Sequence, residues 1–433
     1  METYQRVKDN IMILTKPSAS FIIGMASVLA TIPAFSFSQT VQGWIAPAEV
    51  VEKLSKSQPQ YNYYEEKVPV YTLPDLLLPA EGKRIVNAEA WNLTRRQEIL
   101  ELFRENVYGR VPETPYNMIF RISGIDNNAL EGAATRKEVD IEISSEGLSL
   151  TIRLNLFVPN DATEGVPAFL LINNRGTEQA DPSRKIKNEF WPAEEIISRG
   201  YAAAVFQNSD VDPDNFDDFR NGIHGILDRG ERKGDSWGTI AAWAWGASRC
   251  MDYLVTDSDI DPARVAVIGH SRGGKTALWA AAEDQRFAMA VSNESGCGGA
   301  ALARRKFGET VEVINKAFPH WFCRNYIQWG NNEDSMPVDM HMLLALIAPR
   351  AVYVTSASED LWADPRGSYL SLYHSLPVFR LFDSKTELDK RMPPLNTPVS
   401  SGNTAYHVRD GVHNLLLKDW NWIMDFADRV LKQ

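Results

Sequence analysis

Residues 264–284 read RVAVIGHSRGGKTALWAAAED, a buried-looking strand, a glycine-rich turn and a helix from about Arg272. Few local patterns restrict a fold so strongly, because two chemistries share this layout. Gly269-His-Ser271-Arg-Gly273 is GxSxG, the nucleophile elbow, in which a sharp turn lifts a serine hydroxyl above a sheet at a helix N-terminus. Gly269-x4-Gly274-Lys275-Thr276 is also GxxxxGK[ST], the phosphate-cradling P-loop. A P-loop needs Mg²⁺, normally with an aspartate at the end of another apolar strand. The apolar strands of this chain end in Asn174, Asn208, Glu294 and Ser358, and none supplies a clear strand-end aspartate. A P-loop strand also usually opens its domain, whereas several strands precede this one. An elbow needs an acid and then a histidine downstream, and both are present. The elbow is the favoured reading, with Ser271 as nucleophile. Its helix dipole and the Arg272 N–H face the place where an oxyanion would form.

Flanking patterns point to an α/β architecture. Alternating segments MIFRISGI, RKEVDIEISS and LSLTIRLNLFVP between 117 and 160 predict antiparallel strands, the last two joined by a Ser-Glu-Gly turn. Near-continuous apolar runs follow at 167–174, 201–208, 264–270, 287–294 and 351–358, with a shorter strand at 404–410. Separated by helical stretches, such runs predict a mostly parallel central sheet with helices on both faces, and the GxSxG elbow within it is the one that α/β-hydrolase folds carry. WNLTRRQEILELFRENVYGR (91–110) reads as an amphipathic helix, and 39–90 as an extended, proline-dotted lead-in.

The first forty residues carry Arg6, Lys8 and Lys16, an apolar stretch from about Phe21 to Phe35, and small residues at Ser36 and Ser38. This predicts a signal peptide over 1–38 and a secreted or periplasmic protein. A membrane anchor fits less well, because Pro33 and polar residues interrupt a stretch short of the ~20 apolar residues a span needs. No stable membrane insertion is expected after cleavage. The remainder, 39–433, reads as one catalytic domain with an N-terminal extension over about 39–116. A net charge of −11, from 45 basic and 56 acidic side chains, has the wrong sign for a nucleic-acid binder. The three cysteines, Cys250, Cys297 and Cys323, form no CxxC motif, although an oxidising compartment would permit Cys297 and Cys323 to pair.

The base should follow the acid and sit in a loop after a strand. Of seven histidines, His413 fits, in the turn Gly411-Val-His413-Asn between the strand at 404–410 and a closing amphipathic helix. His407 falls inside that strand, and His341 and His374 in helices. His270 is expected to point away from the site, and His224 and His320 to be structural or substrate-side. Two acids compete to orient His413: Glu294, ending the strand after the nucleophile helix, and Asp360, following the next strand.

The set GHSRGGKTALW, SNESGCGGAALARRKFGE, FPHWFC, SASEDLWADPRG and YHVRDGVHN resembles the glucuronoyl esterases, carbohydrate esterase family fifteen, in their bacterial form, over roughly 65–433. The resemblance implies a serine esterase acting on the C6 carboxyl esters of glucuronic or 4-O-methylglucuronic acid that link glucuronoxylan to lignin alcohols. By position, Ser271 matches the nucleophile, His413 the base and Glu294 the acid, while Asp360 matches a second acidic position of some bacterial members. Arg272 matches an oxyanion-hole arginine, and Lys275, Glu309 and Trp362 match sugar-holding residues. Lys275 lies one helical turn after Ser271, where its ammonium can reach ring hydroxyls. Trp362 can lay an apolar face on sugar C–H groups. Fungal members carry cysteines at the places held here by His270 and Asn414, so that disulfide cannot form and the support of the base loop is left open. Neither metal nor organic cofactor is expected, and the protein is expected to act as a monomer. Alternatives are an acetyl-xylan or general carboxylesterase, a non-catalytic glycan-binding protein on the same scaffold, and a P-loop NTPase.

Overall fold

The computed structural model describes residues 43–432, so the signal-peptide reading of 1–38 lies outside the described residues. Ten strands form one sheet: β1 (Asn117–Ala129), β2 (Ala134–Ser145), β3 (Leu148–Pro159), β4 (Val166–Asn173), β5 (Ala202–Gln207), β6 (Ile260–His270), β7 (Met289–Asn293), β8 (Ala351–Ala357), β9 (Val399–Ser401) and β10 (Thr404–Arg409). Their spatial order is β1-β2-β3-β5-β4-β6-β7-β8-β10-β9. From β5 through β10 every neighbouring pair is parallel. β1, β2 and β3 add an antiparallel flank that joins at β5, and β9 closes the other edge antiparallel to β10. The β2–β3 turn runs through Glu146 and Gly147, both at positive φ, the geometry a two-residue hairpin loop requires.

The central strands are apolar on both sides because both faces are covered. Successive residues of β6 divide between two cores: Val265 and Val267 join one, Ala266 and Ile268 the other. The first core takes the helices Arg96–Asn106, Thr239–Leu254, Arg272–Glu283 and Pro365–Phe382. The second takes the closing helix Leu417–Leu431 through Trp420, Ile423 and Phe426, and the short helix Ala193–Ser198. The arrangement is α/β-hydrolase-like, with the parallel strands at its centre.

The lead-in differs from expectation. Instead of running extended it contains a helix, Ala48–Ser57. Val50, Val51 and Leu54 from that helix pack in a small third cluster with Tyr63, Phe307, Leu361 and Trp362. Apolar spacing in AEVVEKLSKS was obscured by surrounding prolines and polar residues. None of the helices among the described residues is long and apolar enough to cross a membrane.

Candidate active site

The candidate nucleophile, acids and base lie at the carboxyl ends of the parallel strands. β6 ends at His270, and Ser271 leads into the helix Arg272–Glu283 with φ 55° and ψ −121°, a strained conformation for a residue with a side chain. The turn is that tight because its glycines permit it. A Cβ on Gly269 would lie 2.1 Å from the Gly273 carbonyl oxygen, and one on Gly273 would lie 2.9 Å from Asn174 Oδ1. The Ser271 N–H donates to the Asn293 carbonyl at 2.8 Å, tying the elbow to β7. The first N–H groups of the following helix, including that of Arg272, lack intrahelical acceptors.

His413 sits in the loop after β10, as expected for the base. Its Nδ1 lies 2.6 Å from Asp360 Oδ2 and 3.1 Å from Glu294 Oε2. The two acids that competed on paper thus converge on one nitrogen of the ring. Burial pulls the imidazole pKa down, but the hydrogen bonds and charges of Asp360 and Glu294 outweigh it and hold His413 up at about 9. Glu294 is pushed up to about 7 by burial, against the pull of the His413 hydrogen bond. Its backbone, like that of Ser271, lies at positive φ, 49°. Adjacent strands are thus each followed by a strained candidate residue.

Arg409 answers the question of what supports the base loop. Fully buried at the end of β10, it donates from Nη2 to Glu294 Oε1 at 2.7 Å and to the carbonyls of Val412 and Asn414 at 2.8 and 2.7 Å. Its Nε donates to Asp419 Oδ2 at 2.9 Å, and Glu294 Oε2 accepts the Asn414 N–H at 2.9 Å. One buried ion network therefore ties His413's loop to β7 and to the closing helix. His407 fits its strand reading, with its two ring nitrogens against Tyr353 Oη and Asp419. His270 does not point away. Its ring packs 4.3 Å from that of His413, because residue 270 is the last of β6 and the base loop folds directly over it.

Arg272 donates to the Asp214 carboxylate, and its guanidinium lies 4.7 Å over the Trp321 ring. Asp214 also accepts from Trp321 Nε1 at 2.8 Å and stands 3.0 Å from His320 Nε2. Burial would raise its pKa, but the hydrogen bonds from His320, Trp321 and Arg272 keep Asp214 ionised, at about 2. His320 therefore lies on the Arg272 side, while His224 is buried between Phe219 and Trp237.

Lys275 is buried, and its ammonium donates to the carbonyls of Ser295 and Cys297, the latter at 2.7 Å. That differs from a lysine reaching freely for hydroxyls: two of its three donors are spent on backbone. Glu309 Oε2 lies 3.9 Å from the ammonium and accepts a side-chain hydrogen bond from Trp362. Burial lowers the Lys275 pKa and raises that of Glu309. The Trp362 ring meets Tyr61 of the lead-in edge-on at 4.7 Å. Cys297 and Cys323 are buried and unpaired, so the permitted disulfide is not formed.

Residues 141–382 match the family model described as fungal glucuronyl esterase. Carbohydrate esterase MZ0003, from an unknown prokaryotic organism, is 42% identical over 404 residues, covering 86% of this chain and 93% of the relative. The chain belongs to the glucuronoyl esterases of carbohydrate esterase family 15. Within the family it is also similar to a 4-O-methyl-glucuronoyl methylesterase of Schizophyllum commune, 29% identical over 69% of this chain and 70% of that protein. Superposition on the glucuronoyl esterase from Solibacter usitatus gives a TM-score of 0.78 at 38% identity, covering 84% of this chain and 99% of that one.

This glucuronoyl esterase brings to the candidate site side chains that motif reading missed. Asp214 and Arg409 bond to partners far away in sequence, and no spacing signals them. Arg409 alone had a clue, an arginine in an otherwise apolar strand beside the base loop.

Proposed function

We propose that Ser271 is the nucleophile of a two-step hydrolysis of esters at the C6 carboxyl of glucuronic or 4-O-methylglucuronic acid, as in links between glucuronoxylan and lignin alcohols. The observation that carries this reading is the His413 imidazole, gripped at Nδ1 by Glu294 and Asp360 in the loop beside the Ser271 elbow. His413 Nε2 takes the Ser271 proton as Oγ attacks the uronoyl carbonyl. The tetrahedral oxyanion collapses, the C–O bond to the alcohol breaks, and the alcohol leaves with that proton. Water, deprotonated by the same nitrogen, then cleaves the acyl-enzyme and releases glucuronate.

The Arg272 side chain and helix N–H groups stabilise the oxyanion, with Asp214, His320 and Trp321 fixing the guanidinium. Glu309 and the third donor of Lys275 hold sugar hydroxyls, and Trp362 covers an apolar ring face. The reading includes an export signal at 1–38, a secreted or periplasmic location, and one monomeric catalytic domain over 39–433. The reaction as written uses no metal or organic cofactor.

Purified mature protein offered methyl glucuronate, acetylated xylan and an aryl acetate should release methanol from the first in preference. Ser271→Ala should abolish that release. Methanol release persisting in that variant would overturn the nucleophile assignment, and preference for acetylated xylan would overturn the substrate assignment.

A further inference from the structure

Arg175, four residues beyond Leu171 in β4, stands between the nucleophile's elbow and the base's loop. Its Nη2 donates to His270 Nε2 at 2.9 Å, and its Nη1 donates to Asn414 Oδ1 at 2.7 Å. His270 directly precedes Ser271, and Asn414 directly follows His413. One planar cation thus grips both neighbours of the reacting pair. From its place in the fold we infer that Arg175 is a positioning residue, holding Ser271 and His413 in mutual register through His270 and Asn414.

Several observations fit this role. The residue is anchored at its own backbone: its N–H donates to Asn173 Oδ1 at 3.1 Å and its carbonyl accepts from Gln207 Nε2 at 2.7 Å, so the ends of β4 and β5 fix where the fork starts. Its guanidinium lies 4.7 Å over the Phe190 ring, and Phe190 meets the His270 ring edge-on at 5.7 Å. Arginine has no acceptor, so His270 must accept at Nε2 and carry its hydrogen on Nδ1. That hydrogen is received by Asn293 Oδ1, because Asn293 turns its amide nitrogen to Thr355 Oγ1 at 2.6 Å. The chain Arg175–His270–Asn293–Thr355 therefore leaves His270 one tautomer, neutral. A neutral ring is what a base 4.3 Å away requires, since His413 becomes a cation in the transition state and a second imidazolium there would oppose it. No surface ion pair is involved. The two bonds are made to uncharged acceptors, where a two-pronged donor of fixed geometry contributes alignment.

The inference rests on the assignment of Ser271 and His413, and its test separates the two. In the wild-type background, methanol release from methyl glucuronate and its loss in Ser271→Ala establish that assignment independently. Arg175→Ala should then lower kcat by about tenfold or more while KM moves by less than about twofold, the mark of lost transition-state alignment. Arg175→Lys should stay low, since an ammonium cannot span both acceptors. Added guanidinium ion should restore part of the Arg175→Ala rate and leave the parent unchanged. Asn414→Ala, which removes one prong from a loop, should lower kcat by itself, and combined with Arg175→Ala should cost less than the product of the single losses. Near-parent kcat in Arg175→Ala, or fully multiplicative losses in the double variant, would sink the inference. Were Arg175→Ala not to fold, an unaltered kcat in Asn414→Ala would do the same.

Discussion

The Oδ2 of Asp360 lies 2.6 Å from the Nδ1 of His413, half an ångström nearer than the competing oxygen of Glu294 at 3.1 Å. The difference divides the labour of the two acids. Asp360 makes the shorter bond to the base. Glu294 shares its carboxylate among His413, the Asn414 N–H and Arg409, so it orients the ring and anchors the loop together.

Each acid alone should therefore sustain catalysis. Asp360→Asn and Glu294→Gln should each lower kcat by about 10- to 100-fold, and the pair together by about 10⁴-fold, the scale of losing a triad acid altogether. Glu294→Ala should also lower the melting temperature, because it leaves the buried Arg409 cation short of a partner, a loss on the order of 3–5 kcal/mol. Asp360→Ala should not. Steady-state kinetics beside thermal unfolding distinguish them.

The rate should climb with pH. In the proposed mechanism His413 acts as base only when neutral, and its carboxylate partners hold its pKa at about 9, above the usual 6.5, despite opposing burial. The kcat/KM profile for methyl glucuronate should thus rise toward an alkaline plateau, and Asp360→Asn should move that rise to lower pH. The matching stability contribution has the opposite sense. It is complete below the ordinary imidazole pKa and is lost as pH rises through about 9, so the stability gap between parent and His413→Ala should narrow in alkali.

Arg272 is aimed by Asp214, and the two should respond differently. Arg272→Ala should lower kcat by about 10²- to 10³-fold with little change in KM, the usual loss of an oxyanion donor. Asp214→Asn keeps a hydrogen-bond acceptor for Trp321 and Arg272 but loses the charge, and should lower kcat by about tenfold. A raised KM with unchanged kcat in Arg272→Ala would instead show it binding ground state and transition state alike.

Gly269→Ala should be severe although it adds a single methyl. The new Cβ would stand 2.1 Å from the Gly273 carbonyl oxygen, which is backbone and cannot swing aside. A loss of about 3 kcal/mol or more is expected from such overpacking, together with activity near that of Ser271→Ala. Denaturant melts and phosphonate labelling of Ser271 check both.

The sequence by itself determined what is local or periodic. Apolar runs bounded by turn residues located the sheet, because a strand buried on both faces has no polar positions to spare. GxSxG located Ser271, because its glycines answer a backbone clash within five residues. Chain order and loop position led to His413, Glu294 and Asp360. Only the tertiary structure decided how they are used. That both acids meet one nitrogen depends on β7, β8 and β10 lying side by side, a relation of strand order that no local pattern encodes. His270 was misjudged because its direction depends on where a loop 140 residues later folds. Arg175, Asp214 and Arg409 stayed hidden for the same reason. An arginine looks alike in sequence whether solvated or clamped, and its partners are brought to it by packing of distant segments.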